Sequence, residues 1–106
     1  MLADSDRKIA SELHHRLNST VSILDFRIFG SRARGDHSFE SDLDVFIEVE
    51  FITPEMRRNI DEIAWEVGFE MDRIITVIVA THDQLERGPM GANPLIRKIE
   101  SEGIPL

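Results

Sequence analysis

"SDLDVFIEV", residues Ser41 to Val49, alternates strictly: Leu43, Val45, Ile47 and Val49 fall on one face, and Asp42, Asp44, Phe46 and Glu48 on the other. A period of two with one apolar face predicts a strand over 43–49 with that face turned to a core. The second face starts with two aspartates one residue apart. Side chains two apart on a strand point the same way, about 6 to 7 Å apart at the backbone, so the two carboxylates converge at the edge of the sheet. Two like charges in one small volume repel unless a counter-ion lies between them, and a divalent cation supplies one. Hard oxygen donors in a chain without cysteine favour Mg²⁺ or Mn²⁺ over zinc. On this triplet alone a plainer reading stays open, two solvent-facing aspartates at a strand start beside Ser41.

Upstream, "IFGSRARG", Ile28 to Gly35, closes an earlier apolar run. Residues 23–29 read as a strand with Leu24, Phe26 and Ile28 on one face, ended by Gly30. Gly30 and Ser31, followed by a short helical turn through Arg32 to Arg34, offer free backbone N–H groups and a hydroxyl, the materials of a phosphate seat. Glycine lets a phosphate approach without meeting a Cβ. Ten residues separate Ser31 from Asp42, enough for a hairpin that sets the turn beside the carboxylates. A triphosphate on the turn, with metal between it and Asp42 and Asp44, then forms one site. Of the two arginines Arg34 is the phosphate or structural anchor, whereas Arg32 reads equally as an exposed residue. His37 and Glu40, in the hairpin loop, are explained by solvation.

Elsewhere the punctuation is clear. Asp4 or Ser5 caps a first helix to about Asn18, with Ile9, Leu13 and Leu17 on its inner side. His14 and His15 are adjacent on it, point in different directions, and do not make a metal pair. Thr53-Pro54-Glu55 starts a helix to about Val67, stopped by Gly68, with Met56, Ile60, Ile63 and Val67 inward and Arg58 and Glu62 paired outside. Residues 73–80 form a third strand, apolar and β-branched, expected at the centre of the sheet. A run of breakers from Gly88 to Pro94 leads to a last helix over 95–100, closed by Gly103. The short link between the first two strands forces them antiparallel. The expected fold is α/β of the α+β kind, a small mixed sheet with helices mainly on one face, as a single domain over residues 1–106.

Composition narrows the function. With 106 residues, 42% hydrophobic and 30% charged, the chain is an ordinary globular domain. No run reaches the roughly 18 apolar residues of a membrane span, and the polar, acidic opening is unlike a signal peptide, so a cytoplasmic location is expected. Twelve basic against twenty acidic residues give a net charge of −8, which disfavours gripping a nucleic-acid backbone. One nucleotide held through a metal is compatible with that charge.

Taken together, "GSRARG", the ten-residue gap and "DLD" inside a hydrophobic strand resemble the signature of the nucleotidyltransferase superfamily that includes DNA polymerase beta, in its minimal, single-domain form. The closing "IRKIESEGIPL", Ile96 to Leu106, is also similar to the end of minimal members. The resemblance implies that Gly30 and Ser31 contact the β and γ phosphates of ATP or another nucleoside triphosphate, and that Asp42 and Asp44 bind the catalytic metals. It implies transfer of a nucleoside monophosphate, AMP first, to a hydroxyl. Minimal members often serve as the antitoxin partner of a small helical HEPN-domain ribonuclease, and some modify it.

One departure keeps a second reading open. Active members usually carry a third carboxylate on the next strand, and "RIITVIVA", Arg73 to Ala80, has none. Glu70, Asp72 and Asp83 flank it, while Glu48 lies about 13 Å along the strand from Asp44. The alternative to an enzyme is a degenerate, binding-only module that neutralises a partner by contact. Trp65 and Phe69 leave the core side of their helix and supply a contact surface, for a partner or for self-association, or else pack on the C-terminal segment.

Overall fold

The computed structural model describes residues 2–35 and 42–106. Ser41, His37 and Glu40, named above, lie outside the described residues. In chain order the elements are α1 (Asp4–Leu17), β1 (Ile23–Phe29), α2 (Gly30–Arg34), β2 (Leu43–Val49), α3 (Pro54–Met71), β3 (Ile75–Thr81), α4 (His82–Arg87), α5 (Pro94–Glu102) and β4 (Ile104–Pro105), with a 3-10 turn at Pro89–Ala92 before α5. They build a four-stranded mixed sheet in the order β3-β2-β1-β4. β1 runs antiparallel to β2 and β4, and β2 parallel to β3. This is the small mixed α/β fold expected from the sequence.

The alternation of β2 is borne out residue by residue. Leu43, Val45, Ile47 and Val49 are fully buried under α1 and α3, together with Phe26 and Ile28 of β1, Leu13 and Leu17 of α1, and Ile60 and Val67 of α3. On the second face Phe46 and Ala80 form a separate cluster with Ile96 and Ile99 of α5. The two long helices thus share one face, and α5 covers the middle of the other, leaving the Asp44 end beside it.

Several boundaries differ from expectation. α1 has Ala3 at its N-cap position without a side-chain cap, and Asp4 and Asp6 occupy its first turn instead. Leu24 is 48% exposed because the β1–β2 register shifts between Ile23 and Asp25. An extra residue in one strand reverses the alternation, so Ile23 rather than Leu24 packs on the core. α3 is capped by Thr53, whose hydroxyl accepts from the Met56 N–H at 3.1 Å, but it runs through Gly68. It ends at Asp72 (φ 56°), where the Arg73 N–H donates to the Gly68 carbonyl at 2.8 Å. The chain folds back so closely there that a Cβ on residue 68 would overlap the Arg73 carbonyl oxygen. Glycine at 68 is therefore a packing requirement rather than a stop. The outward ion pair on α3 is Arg57–Asp61, 3.5 Å apart and exposed.

β3 is an edge strand, not a central one. Its apolar character has another source: α3 packs over one face, and Phe46, Leu85 and the α5 residues lie over the other at Ile78 and Ala80. Burial by helices on both sides asks for the same side chains as burial between strands.

Candidate active site at the turn between β1 and β2

β1 delivers Phe29 opposite Asp44 in the antiparallel register. The next residue, Gly30, turns the chain into α2 with φ +75°, and Gly35 leaves α2 with φ +79°. Both values lie in the region that glycine enters without strain. Gly30 has a further, steric reason: the Asp44 Oδ2 occupies the space that a Cβ on residue 30 would need. The turn and the second aspartate are thus in direct contact. Ser31 is half-buried on the first turn of α2, while Arg34 is exposed.

Asp42 is exposed and Asp44 half-buried. Burial, and then the neighbouring Asp42 carboxylate, push the Asp44 carboxyl above its usual range, and the charge of Arg34 pulls it partly back. The three charged groups expected to share a site therefore act on one another. Two hard oxygen donors under mutual repulsion beside a glycine turn fit a divalent cation that also meets phosphate oxygens. Among the described residues no group of three or more His, Cys, Asp or Glu side chains could hold a metal ion by itself. The residue that pairs with Asp44 across the β2–β3 ladder is Thr76, which is exposed on the same face. Glu70 does not reach that face, since its carboxylate is bound to Arg16 of α1 at 2.7 Å. Asp72 lies on a groove beside α3, and Asp83 faces Arg87 within α4 at 3.5 Å. Glu48, at the far end of β2, accepts a hydrogen bond from His82 Nδ1 at 2.6 Å.

Arg32 and Arg34 part company. Arg34 lies beside Asp44 and, with Lys98 and Leu95 of α5, lines a cavity of about 140 Å³ that opens at Gly30. Arg32 is 6% exposed and is the structural anchor: its Nε and Nη2 donate to the two oxygens of Asp6, each at 2.9 Å. Asp6 is fully buried and also accepts from Arg73 Nη1 at 2.7 Å. Burial pushes the Asp6 carboxyl up, but the hydrogen bonds of Arg32 and Arg73 and their charges outweigh it and hold it below its usual range. This carboxylate pins the glycine turn to α1 and to Arg73, between α3 and β3. The sequence reading missed it, because an acid in the first turn of a helix already has a reason to be there.

His14 is stacked on Phe26, with ring centroids 4.4 Å apart, and His15 is exposed. Trp65 and Phe69 are 68% and 75% exposed and stack on each other at 5.3 Å, away from the C-terminal segment. No helix among the described residues is long and apolar enough to cross a membrane.

The sequence pattern of the family described as "nucleotidyltransferase domain" matches residues 7–106. Three solved structures share the fold. One, a toxin-antitoxin crystallised with AMP-PNP, is 15% identical with a TM-score of 0.65, over 91% of this chain and 70% of that one. A candidate minimal nucleotidyltransferase is 20% identical with a TM-score of 0.68, over 100% and 97%. A candidate nucleotidyltransferase from Sulfolobus solfataricus is 20% identical with a TM-score of 0.54, over 96% and 82%. No curated protein matches the chain.

Proposed function

Because the chain belongs to the nucleotidyltransferase domain family, we propose that it transfers a nucleoside monophosphate, AMP in the first instance, from a nucleoside triphosphate to a hydroxyl on a partner protein in the cytoplasm. The observation that supports this reading is the contact of Gly30 with Asp44, which sets the glycine turn beside the carboxylate pair. The backbone and hydroxyl of Gly30 and Ser31 hold the β and γ phosphates, and Arg34 neutralises part of their charge. Asp42 and Asp44 hold Mg²⁺ or Mn²⁺, which when bound offsets charge on the phosphate oxygens and the departing pyrophosphate. The acceptor oxygen bonds to the α phosphorus as the bond from that phosphorus to the bridging oxygen breaks. Pyrophosphate leaves with the bridging oxygen, and the hydroxyl proton passes to solvent or to an acid of the partner.

The partner we propose is a small helical ribonuclease of the HEPN type, following the toxin-antitoxin assembly of one structural neighbour. It has a second use, since the residue in register with Asp44 on β3 is Thr76 rather than an acid. An acid of the partner would take that place, so turnover belongs to the complex. Thr76 also favours the competing reading, a nucleotide-binding module that neutralises its partner by contact alone. The two separate in one experiment. The chain is incubated with the protein encoded beside it, Mg²⁺ and each nucleoside triphosphate, and both proteins are weighed intact. An added nucleoside monophosphate that disappears in the Asp42→Asn, Asp44→Asn variant supports transfer. A stable complex that binds nucleotide and gains no mass assigns the chain to contact alone.

A further inference from the structure

Phe29, the last residue of β1, pairs with Asp44 of β2, and Asp44 pairs with Thr76 of β3. Gly30 follows Phe29 directly, with the Asp44 Oδ2 in the space that a Cβ on residue 30 would fill. Three neighbouring strands thus set the glycine turn, a carboxylate and a hydroxyl in one row, with Asp44 in the middle. Neighbouring strands lie about 4.8 Å apart, so the row is about 10 Å long. α5 packs over the adjoining part of this face at Phe46, Ile78 and Ala80, and Thr76 is exposed at the open end. Its hydroxyl is not spent on the fold. Those of Thr53 and Thr81 cap α3 and α4, and those of Ser19 and Ser101 donate to carbonyls of their own helix ends. Among the described residues the Thr76 hydroxyl has no hydrogen-bond partner. Ser31 is part of the turn and so lies on the other side of Asp44.

The order of the row matters, because displacement at phosphorus puts the entering and leaving oxygens on opposite sides of the phosphorus. With the β and γ phosphates on the turn, the α phosphate falls over Asp44, and Thr76 offers a hydroxyl on the far side. We propose that Thr76 is itself an acceptor, and that the chain nucleotidylates its own Thr76 in cis. This rests on the reading of Gly30, Ser31, Asp42 and Asp44 as a nucleoside triphosphate site. Thr76 Oγ1 bonds to the α phosphorus while the bond from that phosphorus to the bridging oxygen breaks. Pyrophosphate leaves with that oxygen and its electron pair, the hydroxyl proton passes to water, and the product is a nucleoside monophosphate esterified to Thr76. A hydroxyl fixed on the same sheet needs no association step, which offsets the want of a neighbouring base. Each chain reacts once, since the acceptor is consumed, so this is one slow event in the chain alone and not the repeated transfer that an acid of the partner would speed. The mark also closes the site, because the attached nucleotide lies over Asp44, where a second triphosphate would bind.

The test incubates the full chain alone with Mg²⁺ and ATP, follows its intact mass over time, and maps the adduct by peptide fragmentation. ATP binding is measured by calorimetry on the same preparations. The expected result is a gain of one AMP per chain, on Thr76, at a rate independent of chain concentration. The gain is kept in Thr76→Ser and lost in Thr76→Val, which removes the hydroxyl and keeps the branched shape, while Thr76→Val still binds ATP with Mg²⁺. When isotopically heavy parent chain is mixed with light Asp42→Asn, Asp44→Asn chain, only the heavy chain gains mass. A parent chain that binds ATP with Mg²⁺ but gains no mass overturns the proposal and leaves the nucleotide site standing. An adduct that maps to another residue, persists in Thr76→Val or appears on the light chain also overturns it. A parent chain that shows no Mg²⁺-dependent ATP binding removes the nucleotide site, and this proposal with it.

Discussion

Thr76 stands in register with Asp44 on the neighbouring strand, on the same face. On the proposed function, an acid at residue 76 would add a third oxygen donor beside Asp42 and Asp44. Thr76→Asp is then a gain-of-function change. It should tighten Mn²⁺ binding and raise partner-dependent transfer by roughly 10²-fold, the lower end of general-base effects. Titration with Mn²⁺ and timed mass measurements check both, and a variant with weaker metal binding would place residue 76 outside the site.

Asp6 holds the other side of the turn. Asp6→Asn removes the buried charge and one of the two acceptor oxygens that face Arg32 and Arg73, and should cost about 3 kcal/mol in urea unfolding, the range for breaking a buried ion pair from one side. The pH dependence follows from the lowered folded-state value of Asp6. Its stabilisation is complete above the ordinary carboxylate range and is lost as pH falls through the folded value. In Asp6→Asn that acid-side loss is reduced.

Asp44 has the opposite sign. Its carboxyl is raised in the folded protein by burial and by Asp42, so the folded state binds its proton more tightly than the unfolded chain. Stability falls as pH rises from the unfolded toward the folded value, and the cost persists at neutral pH. Asp44→Asn should therefore raise the melting temperature at pH 7 while abolishing metal binding, and Mg²⁺ with ATP should stabilise the parent chain and not the variant. A variant that melts lower at pH 7 would mean that Asp44 is held by favourable contacts.

How far the sequence carried this picture depends on the range of the interactions. The strand 43–49 and its two faces were legible, because alternation is local and both faces are committed by it. The meeting of Gly30 with Asp44 followed from one glycine, a short gap and a pair of acids. The edge position of β3 was not legible, since an apolar strand looks the same whether strands or helices cover it. Nor was Asp6, whose partners lie 26 and 67 residues away. Arg32 and Arg34 are chemically identical and two residues apart, and only the placement of α1 beside the turn assigns one to the interior. Gly68 signals a helix end, yet its reason is the carbonyl of Arg73.

His82 offers a local check at the far end of the second face. Its hydrogen bond to Glu48, assisted by the charges of Glu48, Glu86 and Glu50, raises its titration above the ordinary histidine value. In Glu48→Gln the imidazole resonance should titrate at lower pH than in the parent chain, by NMR. An unchanged midpoint would mean that the contact is not formed in solution.

The central claim is that Gly30, Ser31, Asp42 and Asp44 make one site for a metal and a triphosphate, and calorimetric titration with ATP in the presence and absence of Mg²⁺ tests it most directly. The account predicts binding with Mg²⁺ that is at least tenfold weaker without it, and lost both in Asp42→Asn, Asp44→Asn and in Gly30→Ala, whose added Cβ would displace Asp44. Equal affinity with and without the metal, or an unchanged isotherm in either variant, would contradict it.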